Sequence, residues 1–174
     1  MSNISDDIKE VLLDEKTIRQ KVREIGKKVS RDYDGKDLML VGILKGSVPF
    51  MADLLREITI PCTMDFMAVS SYGSSTESSG VVRILKDLDY EIENKYVLIV
   101  EDIIDSGTTL SYLIDYLKGR KAKSIEIASL LNKAVRRKVN VKAKYIGFEV
   151  PDYFLVGYGL DYAEKYRNLP YVAV

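Results

Sequence analysis

The sequence predicts an α/β protein built on a central, mostly parallel sheet flanked by helices. Three observations carry this. Near-continuous apolar runs of strand length, such as "DLMLVGIL" (Asp37 to Leu44) and "VLIV" (Val97 to Val100), read as strands buried on both faces. Segments with helical periodicity separate them. The polar residues gather where the strands end, at "LKGS" and "EDIIDSGTT", the edge at which open parallel sheets bind ligands.

The elements follow in order. "IKEVLLD" (Ile8 to Asp14) reads as a short strand. Ile18, Val22, Ile25 and Val29 then recur at helical spacing, with Asp14 as N-cap and Gly35 beyond the end. The strand Asp37 to Leu44 leads to a helix from about Ser47 to Ile58, whose first turn tolerates Pro49. "CTMDFMAVSSY" (Cys62 to Tyr72) is a strand with Met64, Phe66 and Ala68 on one face. "GSSTESSG" (Gly73 to Gly80) is polar, Ser-rich and bounded by glycines, and reads as a mobile loop. "VVRILKDL" is the next strand, followed by "VLIVED", a turn, and a helix from about Thr108 to Leu117 that stops near Gly119. "SIEIASLLNK" (Ser124 to Lys133), "KYIGFEV" (Lys144 to Val150) and "FLVGYG" (Phe154 to Gly159) read as three further strands. No repeat or linker divides the chain, so residues 1–174 are expected to form one domain.

Composition removes whole classes of chemistry. The 174 residues contain no histidine, which excludes Ser-His-Asp and Cys-His catalysis and every His-ligated metal. A single cysteine, Cys62, excludes an internal disulfide and a cysteine-cluster zinc site. Proton transfer falls to Asp, Glu, Lys or Tyr, and any metal is a hard cation held by oxygen, Mg²⁺ first. Lys plus Arg equals Asp plus Glu at 26 each, so no global field favours nucleic acid. The only basic run, "NKAVRRKVNVKAK" (Asn132 to Lys144), reads as a solvated loop. No apolar stretch approaches a membrane span, and "MSNISDDIKE" has neither a signal-peptide nor a transit-peptide pattern; a cytoplasmic protein is expected.

The stretch "VLIVEDIIDSGTTL" (Val97 to Leu110) carries the chemistry. Taken singly, Asp105 or Ser106 reads as a helix cap. The adjacent Glu101 and Asp102 do not, because two carboxylates partly desolvated at a sheet edge repel each other unless a cation or a hydroxyl-rich ligand sits there. The turn that follows offers the opposite sign: backbone N–H groups at a helix N-terminus with hydroxyls beside them, and Gly107 to let the backbone come close. A ligand with a diol and a phosphate, such as a ribose 5-phosphate unit, satisfies both. Neither a P-loop nor a dinucleotide fingerprint occurs.

That stretch resembles the phosphoribosyl-pyrophosphate (PRPP) motif of the type I phosphoribosyltransferases. "LVGILKGSVPFMADL", "SSYGSSTESSGVVRILKDL", "SLLNK" and "GFEVPDYFLVGYGLDYAEKYRNLPYV" resemble, in order, segments of the hypoxanthine-guanine phosphoribosyltransferases, from about Val11 to Val174. The resemblance implies the type I fold with a small hood made by the chain ends. It implies that Glu101 and Asp102 hold the ribose hydroxyls and Mg²⁺, that Asp105 takes the proton from purine N7, and that Ser106, Gly107, Thr108 and Thr109 cradle the 5′-phosphate. Some relatives carry Lys where Thr108 stands, a change that a backbone cradle tolerates. Lys45 and Gly46, in a turn that can hold a non-proline cis peptide, and Arg167 match pyrophosphate-binding positions. Lys133 matches the donor to the purine 6-oxo group; Phe154 and Leu155 match residues at the base; Asp161 matches an acid near the base that reaches a second Mg²⁺ through water. Ser71 and Tyr72 open the loop, which reads as a lid. The implied substrates are PRPP with hypoxanthine or guanine, and the implied assembly is a homodimer or homotetramer, with neither nucleic acid nor membrane as partner. A xanthine-preferring or pyrimidine-related transferase, and a PRPP-sensing regulator that binds RNA or DNA, are the rival readings.

Overall fold

The structure is a computed structural model that describes residues 3–71 and 82–174. The expected lid loop Gly73 to Gly80, and Tyr72 before it, lie outside the described residues. Ser71 is the last residue of its strand.

Chain order is β1 (Val11–Leu13), α1 (Glu15–Asp32), β2 (Leu38–Leu44), α2 (Val48–Glu57), β3 (Cys62–Ser71), β4 (Val82–Lys86), β5 (Tyr96–Ile104), α3 (Thr108–Lys118), β6 (Ser124–Asn132), β7 (Tyr145–Glu149) and β8 (Val172–Ala173). Six strands form the main sheet in the order β4-β3-β2-β5-β6-β7. All neighbours are parallel except β3 and β4. β1 and β8, from the two chain ends, pair antiparallel as a separate two-stranded hood.

Strand alternation explains how both faces are covered. Leu38, Leu40, Leu98 and Val100 point to the face packed by α1 and α2, through Ile18, Val22, Ile25, Phe50 and Leu54. Their neighbours Met39, Val41, Val97 and Ile99 point to the other face, against Leu110, Leu113 and Leu117 of α3. The ends of α1 are set locally: Asp14 accepts a hydrogen bond from Thr17 N–H at 2.7 Å, capping the first turn. Among the described residues, no helix is long and apolar enough to cross a membrane.

Two expectations require correction. Phe154 to Gly159 is not a strand. Only isolated bridges form there, such as Val156 with Ala173, because Gly157, Tyr158 and Gly159 all take positive φ (95°, 48° and 98°) and break the two-residue alternation a ladder needs. Ile8 to Asp14 shrinks to the three residues of β1, which have only the two-residue β8 as partner. β3 has Met64, Phe66 and Ala68 on one face, as expected, with Phe66 packed toward α1 and α2 and Met64 exposed, and it buries Asp65 and Met67 on the other. Asp65 stays buried because Asp89 and Tyr90 donate backbone N–H bonds to its carboxylate at 2.8 and 3.2 Å.

Topology places the site. From β2 the chain winds outward to β3, and from β5 it winds the other way to β6 and β7, so the strand order reverses between β2 and β5. Their carboxyl ends therefore open a crevice at the switch point.

Candidate active site

β2 delivers Lys45 and Gly46 to this crevice, directly after a cis peptide between Leu44 and Lys45. β5 delivers Glu101 and Asp102 just before its final residues Ile103 and Ile104, with Asp102 Oδ1 accepting from Ile103 N–H at 2.7 Å. Desolvation pushes the Glu101 carboxyl well above the ordinary range, and the adjacent Asp102 charge pushes it further. Burial raises Asp102 too, against the pull of the Ile103 N–H and the positive charge of Arg167. Two acids held this way bind a proton, a cation or hydroxyl donors.

The turn from Asp105 to Thr109 follows at once. Gly107, at φ 81°, is the residue from which α3 starts. Ser106 Oγ accepts from Thr108 N–H at 3.3 Å and lies 3.2 Å from Thr108 Oγ1. The backbone N–H groups of Ser106, Gly107 and Thr109 donate to no acceptor among the described residues, so the turn presents a cluster of free donors at a helix N-terminus. A cleft of about 250 Å³ lies over it, lined by Glu101, Ile103, Asp105, Ser106, Gly107 and Thr109 among others. Asp105 is exposed to this space.

On the neighbouring strand, Lys133 follows β6 and is 8% exposed; its ammonium donates to Tyr153 O at 2.8 Å. Phe154 is not core: it is 63% exposed and meets Tyr162 edge-on, centroids 5.8 Å apart. The Leu155 side chain is buried in the α1 and α2 core, which leaves its backbone polar atoms for a ligand.

The segment before β8 closes the other side. Arg167 Nη1 donates to Gly159 O at 2.6 Å, and Nη2 lies 3.3 Å from Asp161 Oδ1 and 3.3 Å from Glu164 Oε1. Lys45 Nζ meets the same Glu164 at 3.1 Å. The two cations assigned to pyrophosphate are thus tied to one exposed carboxylate, which the sequence reading missed. Asp161 accepts from Glu164 N–H at 2.8 Å and is engaged with Arg167. Among the described residues no three His, Cys, Asp or Glu side chains converge as a metal cage. Glu101 and Asp102 form a two-carboxylate oxygen set, which fits Mg²⁺ bound largely through ligand oxygens and water rather than an all-protein cage.

Comparison with known proteins gives the same picture over nearly the whole chain. A family model described as "Phosphoribosyl transferase domain" matches residues 9–163. The hypoxanthine-guanine phosphoribosyltransferase of Bacillus subtilis is 56% identical over 168 residues, covering 97% of this chain and 93% of that protein. The "Bifunctional protein TilS/HprT" of Listeria monocytogenes is 52% identical over 172 residues; the match covers 99% of this chain but 26% of that longer protein, so the chain spans about a quarter of its length. Among solved structures, a hypoxanthine phosphoribosyltransferase from Staphylococcus aureus superposes with a TM-score of 0.96 at 53% identity, covering 99% of this chain and 94% of that one.

Proposed function

The chain belongs to the phosphoribosyltransferase family, in its hypoxanthine-guanine branch, and we propose that it transfers the 5-phosphoribosyl group of PRPP to N9 of hypoxanthine or guanine. The products are IMP or GMP and pyrophosphate, which makes the protein a pentosyltransferase of purine salvage. The observation that carries this reading is the end of β5, where a desolvated carboxylate pair sits next to a turn of free backbone donors. A ribose 5-phosphate has a diol for the first and a phosphate for the second.

In this reading the N–H groups and hydroxyls of Ser106 to Thr109 hold the 5′-phosphate. Glu101 and Asp102 hold the ribose hydroxyls and would hold the Mg²⁺ carried in with PRPP, while Asp161 would reach a second Mg²⁺ through water. When bound, that ion neutralises charge on the departing pyrophosphate. Lys45, Gly46 and Arg167 receive the pyrophosphate, so Lys45 and Arg167 must exchange Glu164 for it. Bond breaking at an anomeric carbon gives an oxocarbenium-like transition state. Asp105, exposed to the cleft, accepts the purine N7 proton as N9 attacks, a role open to a carboxylate in a chain without histidine. Lys133 offers its ammonium to the 6-oxo group, the same kind of acceptor as the Tyr153 carbonyl it already holds. Phe154 lies across the base, and the Leu155 backbone meets its edge. The protein acts in the cytoplasm as a homodimer or homotetramer; light scattering reads the assembly.

The test is product formation from PRPP and Mg²⁺ with hypoxanthine, guanine, xanthine, adenine and uracil in parallel. Turnover with the first two and not with adenine or uracil is the expected result. PRPP binding without turnover on any base would point to a regulator instead.

A further inference from the structure

The segment after β6, which the sequence reads as a solvated basic loop, wraps the phosphate turn from behind. Three successive carbonyls, from the last residue of β5 into that turn, accept hydrogen bonds from it. Ile104 O accepts from Lys133 N–H at 2.9 Å, Asp105 O from Arg137 Nε at 3.3 Å, and Ser106 O from Lys138 N–H at 2.9 Å. The same segment packs on Gly107: a Cβ there would stand 3.1 Å from Arg137 Cδ and 3.3 Å from Val139 Cγ2. The Asp105 and Ser106 carbonyls are thus spent on this segment, while the N–H groups of Ser106, Gly107 and Thr109 stay free for a ligand.

Arg137 reaches further than its neighbours. Nη1 donates to Val141 O at 2.7 Å, and Nη2 donates to Asn132 Oδ1. Asn132 is the last residue of β6, is 7% exposed, and directly precedes Lys133. Its amide donates in turn to both carboxylate oxygens of Glu149 on β7, at 3.0 Å each. One guanidinium therefore joins the phosphate turn at the end of β5 to the strand end that carries Lys133. All three of its acceptors are uncharged oxygens, and among the described residues no carboxylate pairs with it. The fork geometry matters, because a lysine projects its donors from a single point and cannot span three separated acceptors.

We propose that Arg137 is a positioning residue for the transfer reaction, locking the phosphate turn Asp105 to Thr109 in register with the base-reading Lys133. This rests on the function proposed above. Arg137 acts through the carbonyl of Asp105 and the amide of Asn132, not by touching substrate.

The experiment compares the binding of GMP and guanosine by calorimetry in the wild type, R137K and R137Q, with R136K as control. Arg136 pairs with Asp152 on the surface and holds no part of the turn. The ratio of the two affinities measures the phosphate contribution and does not depend on the fraction of protein that is folded. In both Arg137 variants the preference for GMP should fall about tenfold or more, the scale of one or two lost charge-assisted bonds. R136K should keep the wild-type ratio. R137K should also raise KM for PRPP more than it lowers kcat, and weaken the choice of hypoxanthine over adenine. A wild-type ratio in R137K and R137Q, with only a lower melting temperature, would overturn the proposal and leave Arg137 a stabilising residue alone. A wild-type protein that makes no IMP and binds GMP no tighter than guanosine would overturn the function itself, and this proposal with it.

Discussion

Gly46 and Asp102 are packed so closely that a Cβ on the glycine would overlap Asp102 Oδ2 and stand 2.9 Å from Cγ. The contact follows from register. β2 and β5 are parallel neighbours with Gly42 opposite Val100, so their ends emerge side by side. Gly159 closes in from the hood, where a side chain would overlap Gly46 O. Gly46→Ala must therefore displace the Asp102 carboxylate. We expect kcat/KM for PRPP to fall about 100-fold, roughly 3 kcal/mol of transition-state stabilisation, while melting temperature drops only a few degrees. Steady-state kinetics beside a thermal melt tests this; unchanged PRPP kinetics would remove Asp102 from the ribose site.

Glu101 stores destabilisation in the ligand-free protein. Its carboxyl is held well above the unfolded value by desolvation and by Asp102, so ionising it opposes folding. That penalty is full above the raised folded value and vanishes below the ordinary value of about 4.3. Glu101→Gln should raise the melting temperature at pH 8 by about 2–4 °C, as ~1 kcal/mol does in a domain this size. It should give no gain near pH 4 and abolish most turnover. A variant no more stable than wild type at pH 8 would mean the acid pair is not strained.

In the proposed reaction Lys133 reads the base through a charged donor in a nearly closed site. Lys133→Gln supplies an amide that can serve either a 6-oxo or a 6-amino group. The ratio of kcat/KM for hypoxanthine over adenine should fall by about 10–100-fold. Equal exclusion of adenine in the variant would assign position 6 to another group.

Asp105 stands exposed at the mouth of the cleft, with its backbone carbonyl anchored to Arg137 and its side chain free of protein partners among the described residues. Asp105→Asn keeps the shape and removes the proposed base. kcat should drop about 100-fold or more while KM for PRPP changes little. Full kcat in the variant would sink the base assignment.

Far from the site, Asp87 accepts from Arg120 Nη1 and Nη2 at 2.9 and 2.5 Å and from Tyr116 OH at 2.5 Å, tying the end of β4 to the end of α3. The Arg120 bonds lead in holding its carboxyl down at about 2. A depressed carboxylate stabilises the fold above its unfolded value near 3.9 and loses that contribution as pH falls toward 2. Asp87→Asn should thus lower the melting temperature at pH 7 and match wild type at pH 2; a gap that persisted at pH 2 would place the effect in packing.

Much of the fold was legible because burial leaves period and length in a sequence. The runs at Leu38–Leu44 and Val97–Val100 are apolar at every position because helices cover both faces of the sheet, and Asp14 announces α1 by capping it. Phe154 to Gly159 misled because alternation of apolar and small residues mimics a strand, whereas three positive φ values make it a turn over α2, with Tyr158 OH bonded to Asp53 at 2.5 Å.

The site divides in the same way. Glu101 to Thr109 is contiguous, so the acids, the glycine and the hydroxyls proposed to bind one ligand stand together in the chain and could be read there. What meets only in space could not. That Gly46 leaves room for Asp102, that Glu164 holds both Lys45 and Arg167, and that Arg137 ties Asp105 to Asn132 depend on parallel register and on loops returning from distant strands. Local chemistry was written by neighbours in sequence; its positioning was decided by backbone carbonyls and side chains that share no spacing along it.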